Sequence, residues 1–309
     1  MRIHTIDLRF MGLDHAVAAF AVEGPAGWVL VETGPGSTLP ALVDGLSALG
    51  VHPGELAGAF VTHIHLDHAG AAGWLARQGV PIHVHPIGAP HLVDPTRLLA
   101  SATRIWGDGT EALWGPMLSA PADRVVAVED GQVVDVGGLA FRAVATPGHA
   151  KHHHAWRVGD ALFAGDAAGV RLPHSRLVAV PAVPPEFDPE AWGGTIDRLA
   201  AETTTSSAPS NPPSPATTFY LTHFGPVTDL TWHTAHLRDE LAAVVAFIGD
   251  LHGAGTERDI VVERYVAWCR SRALDAGVNA SELARFEAAN PVEVSVDGVL
   301  RWLAKRARA

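Results

Sequence analysis

The sequence predicts an α/β protein built as a four-layer sandwich, in which two β-sheets face each other and helices cover their outer faces. Two observations predict this architecture. Each of two long stretches of the chain pairs a set of short apolar strands with helical segments. Potential ligand side chains follow several of these strands, and functional loops gather along one edge of such a sandwich. At 309 residues the chain is long enough to bury a large core.

The first part of the chain alternates predicted strands with predicted helices. Ser37 can cap a helix that runs to Leu49, and Gly50 ends it. Short apolar runs separated by glycine-containing turns or by helices predict the strands. These strands are expected at 3–10, 15–23, 27–32, 59–62 and 81–85. The helices are expected at 37–49, at 71–78 and over most of 92–120.

The second part repeats the pattern and then becomes helical. Strands are expected at 124–128, 132–136, 139–145, 155–158, 161–164 and 219–222, with a helix at 189–201. Residues 1–230 therefore form the predicted sandwich domain. From residue 231 onward, leucine and valine recur at helical spacing. We expect 231–309 to be a mainly helical C-terminal extension that closes over the active-site edge or mediates homodimer formation.

A low-complexity segment interrupts the sandwich domain. Residues 203–217 are mostly threonine, serine and proline and offer little that could anchor a core. A connection between a helix and a strand normally takes only a few residues. We expect a flexible surface insertion here, and a functional lid stays open as the alternative.

Composition excludes several classes of protein. The chain carries 22 Lys+Arg against 33 Asp+Glu, a net charge of −11, which would repel nucleic-acid phosphates. The single cysteine, Cys269, excludes an intrachain disulfide and a cysteine-rich metal site. No run approaches the roughly 18–20 apolar residues that cross a bilayer. We expect a cytoplasmic protein that acts on a small molecule, without nucleic-acid or membrane partners.

The segment 63–68 is the strongest functional signal. It holds His63, His65, Asp67 and His68 directly after a short apolar run. Residues two apart on an extended chain point the same way, so the first two histidines can bind one cation. The other two side chains would face the opposite side, at the start of a helix. The spacing therefore makes a two-metal site plausible.

Three further strands are followed by a potential ligand. His149 lies in the segment Thr-Pro-Gly-His, Asp166 follows the strand that ends near Ala164, and His223 follows the strand that ends near Thr222. Glycine or proline stands close to each of these ligands, which allows tight turns. This recurrence indicates that one site is assembled from several strand ends.

The order His-x-His-x-Asp-His, then His, Asp and His, resembles the metallo-β-lactamase superfamily, whose glyoxalase II-like and lactonase-like members are binuclear hydrolases with an αββα fold. The resemblance covers roughly the first 230 residues. It implies that one metal is held by His63, His65 and His149. It implies that a second metal is held by Asp67, His68 and His223, with Asp166 bridging the two.

Imidazole and carboxylate ligands suit borderline divalent ions, so zinc is the default and iron or manganese stays open. Two such ions can share a water whose pKa falls toward neutrality, which yields a bridging hydroxide as the nucleophile. Asp67 would bind metal and orient that hydroxide, which makes it the candidate catalytic residue. The expected reaction is hydrolysis of an ester, lactone or thioester of a small molecule.

Three alternatives remain at the level of sequence. A mononuclear iron dioxygenase acting on persulfides resembles the same motif set and is the main alternative. A nucleic-acid phosphodiesterase is disfavoured by the net charge. A non-enzymatic binding module would have little reason to keep ligands that leave coordination positions open. The oxygen-reducing diiron branch carries glutamate where this chain has His65, so that chemistry is disfavoured.

Neighbouring residues give further expectations. Of His152, His153 and His154, one is expected to support a ligand and the others to be solvated, although one could act as a general acid. Glu32 stands where relatives more often have aspartate, and it is expected to hydrogen-bond the outer nitrogen of a ligand. Four aromatic residues could line a substrate pocket or simply form core: Trp106, Trp114, Phe187 and Trp192. The histidines 83, 85 and 91 are expected at the surface, without a role.

Overall fold

The computed structural model describes residues 1–204 and 214–308, and these ranges contain two six-stranded sheets. The strands of the first sheet are β1 (Arg2–Asp7), β2 (Ala18–Gly24), β3 (Gly27–Val31), β4 (Gly58–Phe60), β5 (Ile82–Val84) and β6 (Val125–Ala127). The strands of the second sheet are β7 (Val133–Val136), β8 (Leu139–Ala145), β9 (His154–Val158), β10 (Ala161–Phe163), β11 (Thr218–Leu221) and β12 (Gly225–Val227). Spatial order follows chain order in both sheets.

The helices occupy the connections and the C-terminal part of the chain. They are α1 (Leu39–Ala48), α2 (Leu66–Ala69), α3 (Ala72–Arg77), α4 (Ala89–Val93), α5 (Thr96–Trp106), α6 (Thr110–Trp114), α7 (Pro189–Glu202), α8 (Leu230–Gly253), α9 (Arg258–Asp275), α10 (Leu283–Ala289) and α11 (Val292–Arg306). The predicted αββα sandwich with a helical extension is confirmed.

Strand direction determines where the functional loops lie. In the first sheet, β3, β4, β5 and β6 are parallel, so the segments after them leave from the same edge. In the second sheet, β8 and β9 are antiparallel, β9 and β10 are antiparallel, and β10 and β11 are parallel. The carboxyl ends of β8, β10 and β11 therefore also meet at one edge.

The sandwich buries two kinds of apolar layer. Between the sheets lie large side chains from both, among them Phe20, Phe60, Phe141, Trp156 and Phe163. Outside the first sheet, helices α1 to α6 complete a second cluster, and outside the second sheet α7 and α8 complete a third. Because β2 and β3 are covered on both faces, their central residues are apolar on both sides.

The C-terminal helices share their core with the preceding segment. Apolar residues of 170–196 and of α8, α9, α10 and α11 form one continuous cluster. Asp188 caps α7 by accepting hydrogen bonds from the N–H groups of Glu190 and Ala191. The helical extension is thus packed onto the second half of the sandwich. No helix among the described residues has the length and apolar character needed to span a bilayer.

Several local expectations were wrong or incomplete. Ser37 does not cap α1, because its hydroxyl donates to the Leu113 carbonyl and Thr38 precedes the helix. The chain at 115–121 is not helical, and the short strand β12 was not predicted. Gly50 does end α1, with a φ of 74° that glycine adopts without strain. Most of the predicted insertion at 203–217 lies outside the described residues.

Candidate metal centre

The structure brings all seven predicted ligand residues together at the shared edge of the two sheets. His63 and His65 lie in the loop after β4, and Asp67 and His68 lie on the single turn of α2. His149 follows β8, Asp166 lies in the tight turn after β10, and His223 follows β11. The convergence follows from strand direction, because these loops all leave the sheets at that edge.

The first group contains three imidazoles that face one another. The Nδ1 atom of His65 lies 2.9 Å from Nε2 of His63 and 2.9 Å from Nε2 of His149. His63 and His149 are buried, whereas His65 is partly exposed. These three nitrogens lie close enough together to bind one cation.

The second group is Asp67, His68 and His223. An Oδ2 atom of Asp67 lies 3.4 Å from Nε2 of His223 and 3.7 Å from Nε2 of His68. Both histidines are buried, and the aspartate is partly exposed. This group also satisfies the distances expected of residues that could hold an ion.

Asp166 lies between the two groups. Its Oδ2 atom is 3.3 Å from Nε2 of His149, in the first group. Its Oδ1 atom is 3.2 Å from Nε2 of His68 and 3.5 Å from Nε2 of His223, in the second. One carboxylate thus presents one oxygen to each group, which is the arrangement that a bridging ligand needs.

Hydrogen bonds on the outer ring nitrogens fix the orientation of the histidines. The Nδ1 atom of His149 lies 2.8 Å from the Pro181 carbonyl, and that of His223 lies 2.8 Å from the Ala16 carbonyl. A ring that donates through Nδ1 presents its Nε2 lone pair inward. The next peptide N–H after Pro181 donates to the Ser295 hydroxyl of α11. No sequence signal points to these two carbonyl groups.

Glu32 performs the same task for His68, as expected from the sequence. Its Oε1 atom lies 2.9 Å from Nδ1 of His68 and accepts hydrogen bonds from the hydroxyl groups of Thr62 and Thr222. Glu32 is only 1% exposed, and its φ of 65° is uncommon for a residue other than glycine. This one carboxylate therefore links the ends of β3, β4 and β11 to a candidate ligand.

Two glycines allow the ligand loops to approach closely. A Cβ atom at Gly148 would lie 2.4–2.6 Å from atoms of Trp192, and one at Gly165 would lie 2.5 Å from the Thr62 hydroxyl. Both glycines have positive φ values. A larger residue at either position would displace the loop that carries His149 or Asp166.

Burial keeps the first group neutral. Burial, with the positive charge of His68 nearby, holds the pKa of His63 well below its usual value. Burial and the neighbouring His149 lower the pKa of His65 to about 3. Burial also lowers the pKa of His149, although Asp166 opposes this. Neutral imidazole is the form that ligates metal.

The second group is dominated by charge. Burial disfavours protonation of His68 and His223, but Asp166 and Asp67 outweigh it and raise the pKa of both histidines. Burial likewise disfavours ionisation of the two aspartates, but the histidines outweigh it. The pKa of Asp67 falls to about 2, and that of Asp166 lies well below its usual value. Without an ion, protonated imidazoles supply the positive charge that these carboxylates require.

The residues fit a pair of divalent cations. The Nε2 atom of His68 and the Oδ1 atom of Asp166 are buried without a well-aligned hydrogen-bond partner. Buried polar atoms are rarely left unsatisfied unless an ion or ligand completes them. Imidazole nitrogen and carboxylate oxygen are suitable donors for zinc, iron or manganese.

The histidines beyond the seven are buried to a greater extent than expected. His153 supports the first group, because its ring stacks on His63 at 4.8 Å and its Nδ1 atom lies 2.7 Å from the Thr146 hydroxyl. The expectation that its neighbours are solvated is wrong: His152 is 6% exposed and pairs with Glu186 at 3.2 Å, and His154 is fully buried beside His85.

Of the three other histidines expected at the surface, His83 needs correction. His83 is buried, with its ring stacked on Phe60 at 4.3 Å. His85 and His91 are partly exposed. The sequence around His83 gave no sign of its burial, because that burial depends on the neighbouring strand rather than on the local pattern.

A cavity of about 960 Å³ opens from the ligand cluster. Among the four aromatic candidates, Trp106 and Trp114 line it, whereas Phe187 and Trp192 belong to the core shared with the C-terminal helices. Residues of α9, α10 and α11 also line the cavity. The helical extension thus covers part of the edge that carries the ligand cluster.

The chain resembles known proteins in sequence and in structure. It is 31% identical over 142 residues to a metallo-β-lactamase fold-containing protein of Sulfurisphaera tokodaii, an alignment that spans 45% of this chain and 53% of that protein. It is 33% identical over 190 residues to a hydroxyacylglutathione hydrolase of Pseudomonas entomophila, spanning 56% of each protein. The chain thus aligns with about half the length of these curated relatives.

Likeness in structure extends further along the chain. A crystal structure of a metallo-β-lactamase family protein from Thermus thermophilus superposes with a TM-score of 0.65 and 20% identity, covering 99% of this chain and 94% of that one. This similarity shows a shared fold that includes the helical extension. The family model of the metallo-β-lactamase superfamily matches residues 13–204, more than half of the sequence. The chain therefore belongs to the metallo-β-lactamase superfamily.

Proposed function

We propose that this protein is a metal-dependent hydrolase that cleaves an ester, lactone or thioester of a small molecule. The observation that carries the proposal is the position of Asp166, whose two carboxylate oxygens face two separate groups of ligand atoms. Two such groups can hold the two ions that a binuclear hydrolase needs. Because the mononuclear iron dioxygenase resembles the same ligand set, the number of bound ions decides between the two.

His63, His65 and His149 would hold one ion, and Asp67, His68 and His223 would hold the other, with Asp166 shared. Zinc is the default, and iron or manganese suits the same donors. When bound, two such ions supply Lewis acidity and lower the pKa of a shared water toward neutrality.

The protein's own groups orient the reaction. Asp67 lines the cavity, so its carboxylate can accept a hydrogen bond from the attacking water and direct it at the acyl carbon. The water oxygen bonds to that carbon, and the acyl C–O or C–S bond breaks. The departing oxygen or sulfur takes the proton that the water loses, so the products are a carboxylic acid and an alcohol or thiol, joined in one molecule when the substrate is a lactone. Burial of the ligands excludes bulk water from the opposite side of the site.

Two further observations support this substrate class. One relative is a hydroxyacylglutathione hydrolase, which is a hydrolase by name. The net charge of −11 argues against a polyanionic nucleic-acid substrate, and so against the nucleic-acid phosphodiesterase alternative.

The test uses Asp166→Ala, with Asp44→Ala as the matched control because Asp44 is exposed on α1 and away from the site. Each protein is loaded with zinc, manganese or iron. Bound metal is measured by elemental analysis, and hydrolysis is measured on a lactone, a thioester, a p-nitrophenyl ester and a phosphodiester. We expect about two ions per chain and ester-class hydrolysis in the wild type and the control.

In Asp166→Ala we expect a loss of at least about 100-fold in kcat/KM together with reduced metal content. Full activity in metal-depleted Asp166→Ala would refute the proposal. One iron per chain, with oxygen uptake that depends on a persulfide, would replace it with the dioxygenase.

A further inference from the structure

The cavity continues well beyond the ligand cluster. Its volume of about 960 Å³ lies at the upper end of the roughly 300–1,000 Å³ typical of small-molecule sites. At one end the lining residues are ligand candidates, such as His65, Asp67 and Asp166. Away from that end most lining side chains are apolar. A compact polar substrate would leave this apolar part unfilled.

One wall of the apolar part comes from α5 and α6. Leu98, Ile105 and Trp106 project from α5 at helical spacing, and Trp114 ends α6. The two tryptophan rings meet edge to face at 5.5 Å, and Trp114 also stacks on Phe10 at 5.2 Å. These ring contacts hold the aromatic wall in place, and the indole N–H of Trp114 is buried in it without a hydrogen-bond partner among the described residues.

The opposite wall comes from the helical extension. Val266 of α9, Ala284 and Ala288 of α10, and Val292 of α11 line the cavity there. Ala288 also packs against the apolar cluster of the first sheet, so α10 lies next to the α5–α6 side. The small side chains on α10 leave the space between the walls open.

Two acidic groups on the lining are paired within the protein, and Arg97, Arg104 and Glu293 are the other charged side chains that reach it away from the ligand cluster. Glu287 pairs with Arg270, and Glu186 pairs with His152. By contrast, Met11 and Ile87 line the cavity and yet are 63% and 52% exposed, which extends its apolar surface to solvent. Large exposed apolar side chains at the mouth of a cavity mark a binding surface for an apolar group.

We propose that the passage between α5–α6 and α9–α11 binds a long apolar acyl chain, so that the substrates are medium- to long-chain fatty-acyl esters, lactones or thioesters. This proposal rests on the proposed hydrolase function. The acyl carbonyl lies at the ligand cluster, and the chain extends along the two apolar walls toward Met11 and Ile87.

The expected dependence on chain length follows from burial. Each methylene group removed from water contributes about 0.8 kcal/mol, or about fourfold in affinity. If only half of the eight methylenes that separate a dodecanoyl from a butanoyl group are buried, kcat/KM should rise by about 100-fold or more.

The first experiment compares p-nitrophenyl butanoate with p-nitrophenyl dodecanoate, below its micellar concentration, on the metal-loaded protein. The variants are Ala288→Trp, which fills the passage, and Ala284→Trp, whose exposed position tolerates a large side chain without unfolding. The control is Ala246→Trp on the exposed face of α8, outside the cavity lining. We expect both passage variants to lower the dodecanoyl-to-butanoyl ratio of kcat/KM at least tenfold and the control to preserve it. A wild-type ratio near one, or an unchanged ratio in both passage variants, would overturn the proposal.

A binding measurement separates this proposal from the hydrolase proposal. Dodecanoate and butanoate are titrated calorimetrically into the metal-loaded wild type, Ala284→Trp and Ala246→Trp. We expect dodecanoate to bind at least tenfold more tightly than butanoate, with the preference lost in Ala284→Trp alone. If that preference is found but no ester is hydrolysed, the proposal that the passage binds an acyl chain is supported and the proposed hydrolase function is contradicted. If esters are hydrolysed and the two carboxylates bind equally, the passage proposal fails alone.

Discussion

The two ends of the cavity are built in different ways. At the ligand end, several histidines are held by a hydrogen bond to a carboxylate or a backbone carbonyl, and most of them are buried. At the far end, the walls are helix faces whose side chains meet through apolar and ring contacts. The hydrogen bonds at the ligand end fix the positions of the imidazole rings closely. The apolar contacts at the far end define only the shape of the cavity. The difference indicates that side chains on the apolar walls can change without altering the hydrogen bonds that hold the ligand candidates.

Of the changes considered, removal of metal should have the largest effect on activity. It should act on the ligand end of the cavity and not on the apolar end. Treatment with a chelator is expected to abolish hydrolysis and to lower the Tm, since an ion at 1,000 times its Kd stabilises the fold by about 4 kcal/mol. Far-ultraviolet circular dichroism should keep the helical signal of α8–α11, which contain none of the candidate ligands. Calorimetry and activity after zinc is restored check both points. An unchanged Tm together with full activity after chelation would contradict the expectation that bound metal stabilises the ligand end and is needed for hydrolysis.

Replacement of Glu32 tests how strongly the ligand end depends on its supporting hydrogen bonds. Glu32→Gln keeps the size of the side chain but replaces one acceptor oxygen with a donor, beside His68, Thr62 and Thr222. We expect metal affinity or kcat/KM to fall by about 10- to 100-fold. The measurement is competitive metal titration, with Glu55→Gln as the control because Glu55 caps a surface turn. Equal metal affinity and equal kcat/KM in the two variants would show that Glu32 is not a positioning residue.

Cys269 should give the smallest effect, since it lies in the helical extension behind the cavity wall. Burial raises the pKa of its thiol to about 12, so very little thiolate exists at pH 8. The thiol should therefore resist Ellman's reagent in the native protein and react fully after denaturation. Cys269→Ala should keep kcat/KM for butanoate esters within about twofold, because the residue is absent from the cavity lining. Rapid labelling of the native protein would show that α9 opens readily.

The ligand end was predictable from the sequence because its information is local. His63, His65, Asp67 and His68 stand within six residues, and each of the other three ligands follows a strand with glycine or proline nearby. Period-two and helical patterns also located most strands and helices. Gly50 ended its helix as expected, because its φ of 74° depends only on the chain next to it.

The features that escaped prediction depend on distant parts of the chain. Ser37 failed as a helix cap because the Leu113 carbonyl, 76 residues away, accepts its hydroxyl hydrogen. The burial of His83 and His154 depends on Phe60 and His85, which belong to other strands or loops. The carbonyl groups of Ala16 and Pro181 carry no side-chain signature. Local pattern cannot report any of these contacts.

The support of His149 has a consequence for the final helix. The Pro181 carbonyl holds the imidazole, the next N–H is held by Ser295, and a Cβ atom at Gly298 would lie 1.8 Å from the Ala182 carbonyl oxygen. His149 and Ser295 of α11 therefore bind the two ends of the same peptide unit, and Gly298 packs against the next one. Shortening the protein before α11, or replacing Gly298 with a bulkier residue, should therefore displace the segment that orients His149, although α11 itself contributes no candidate ligand.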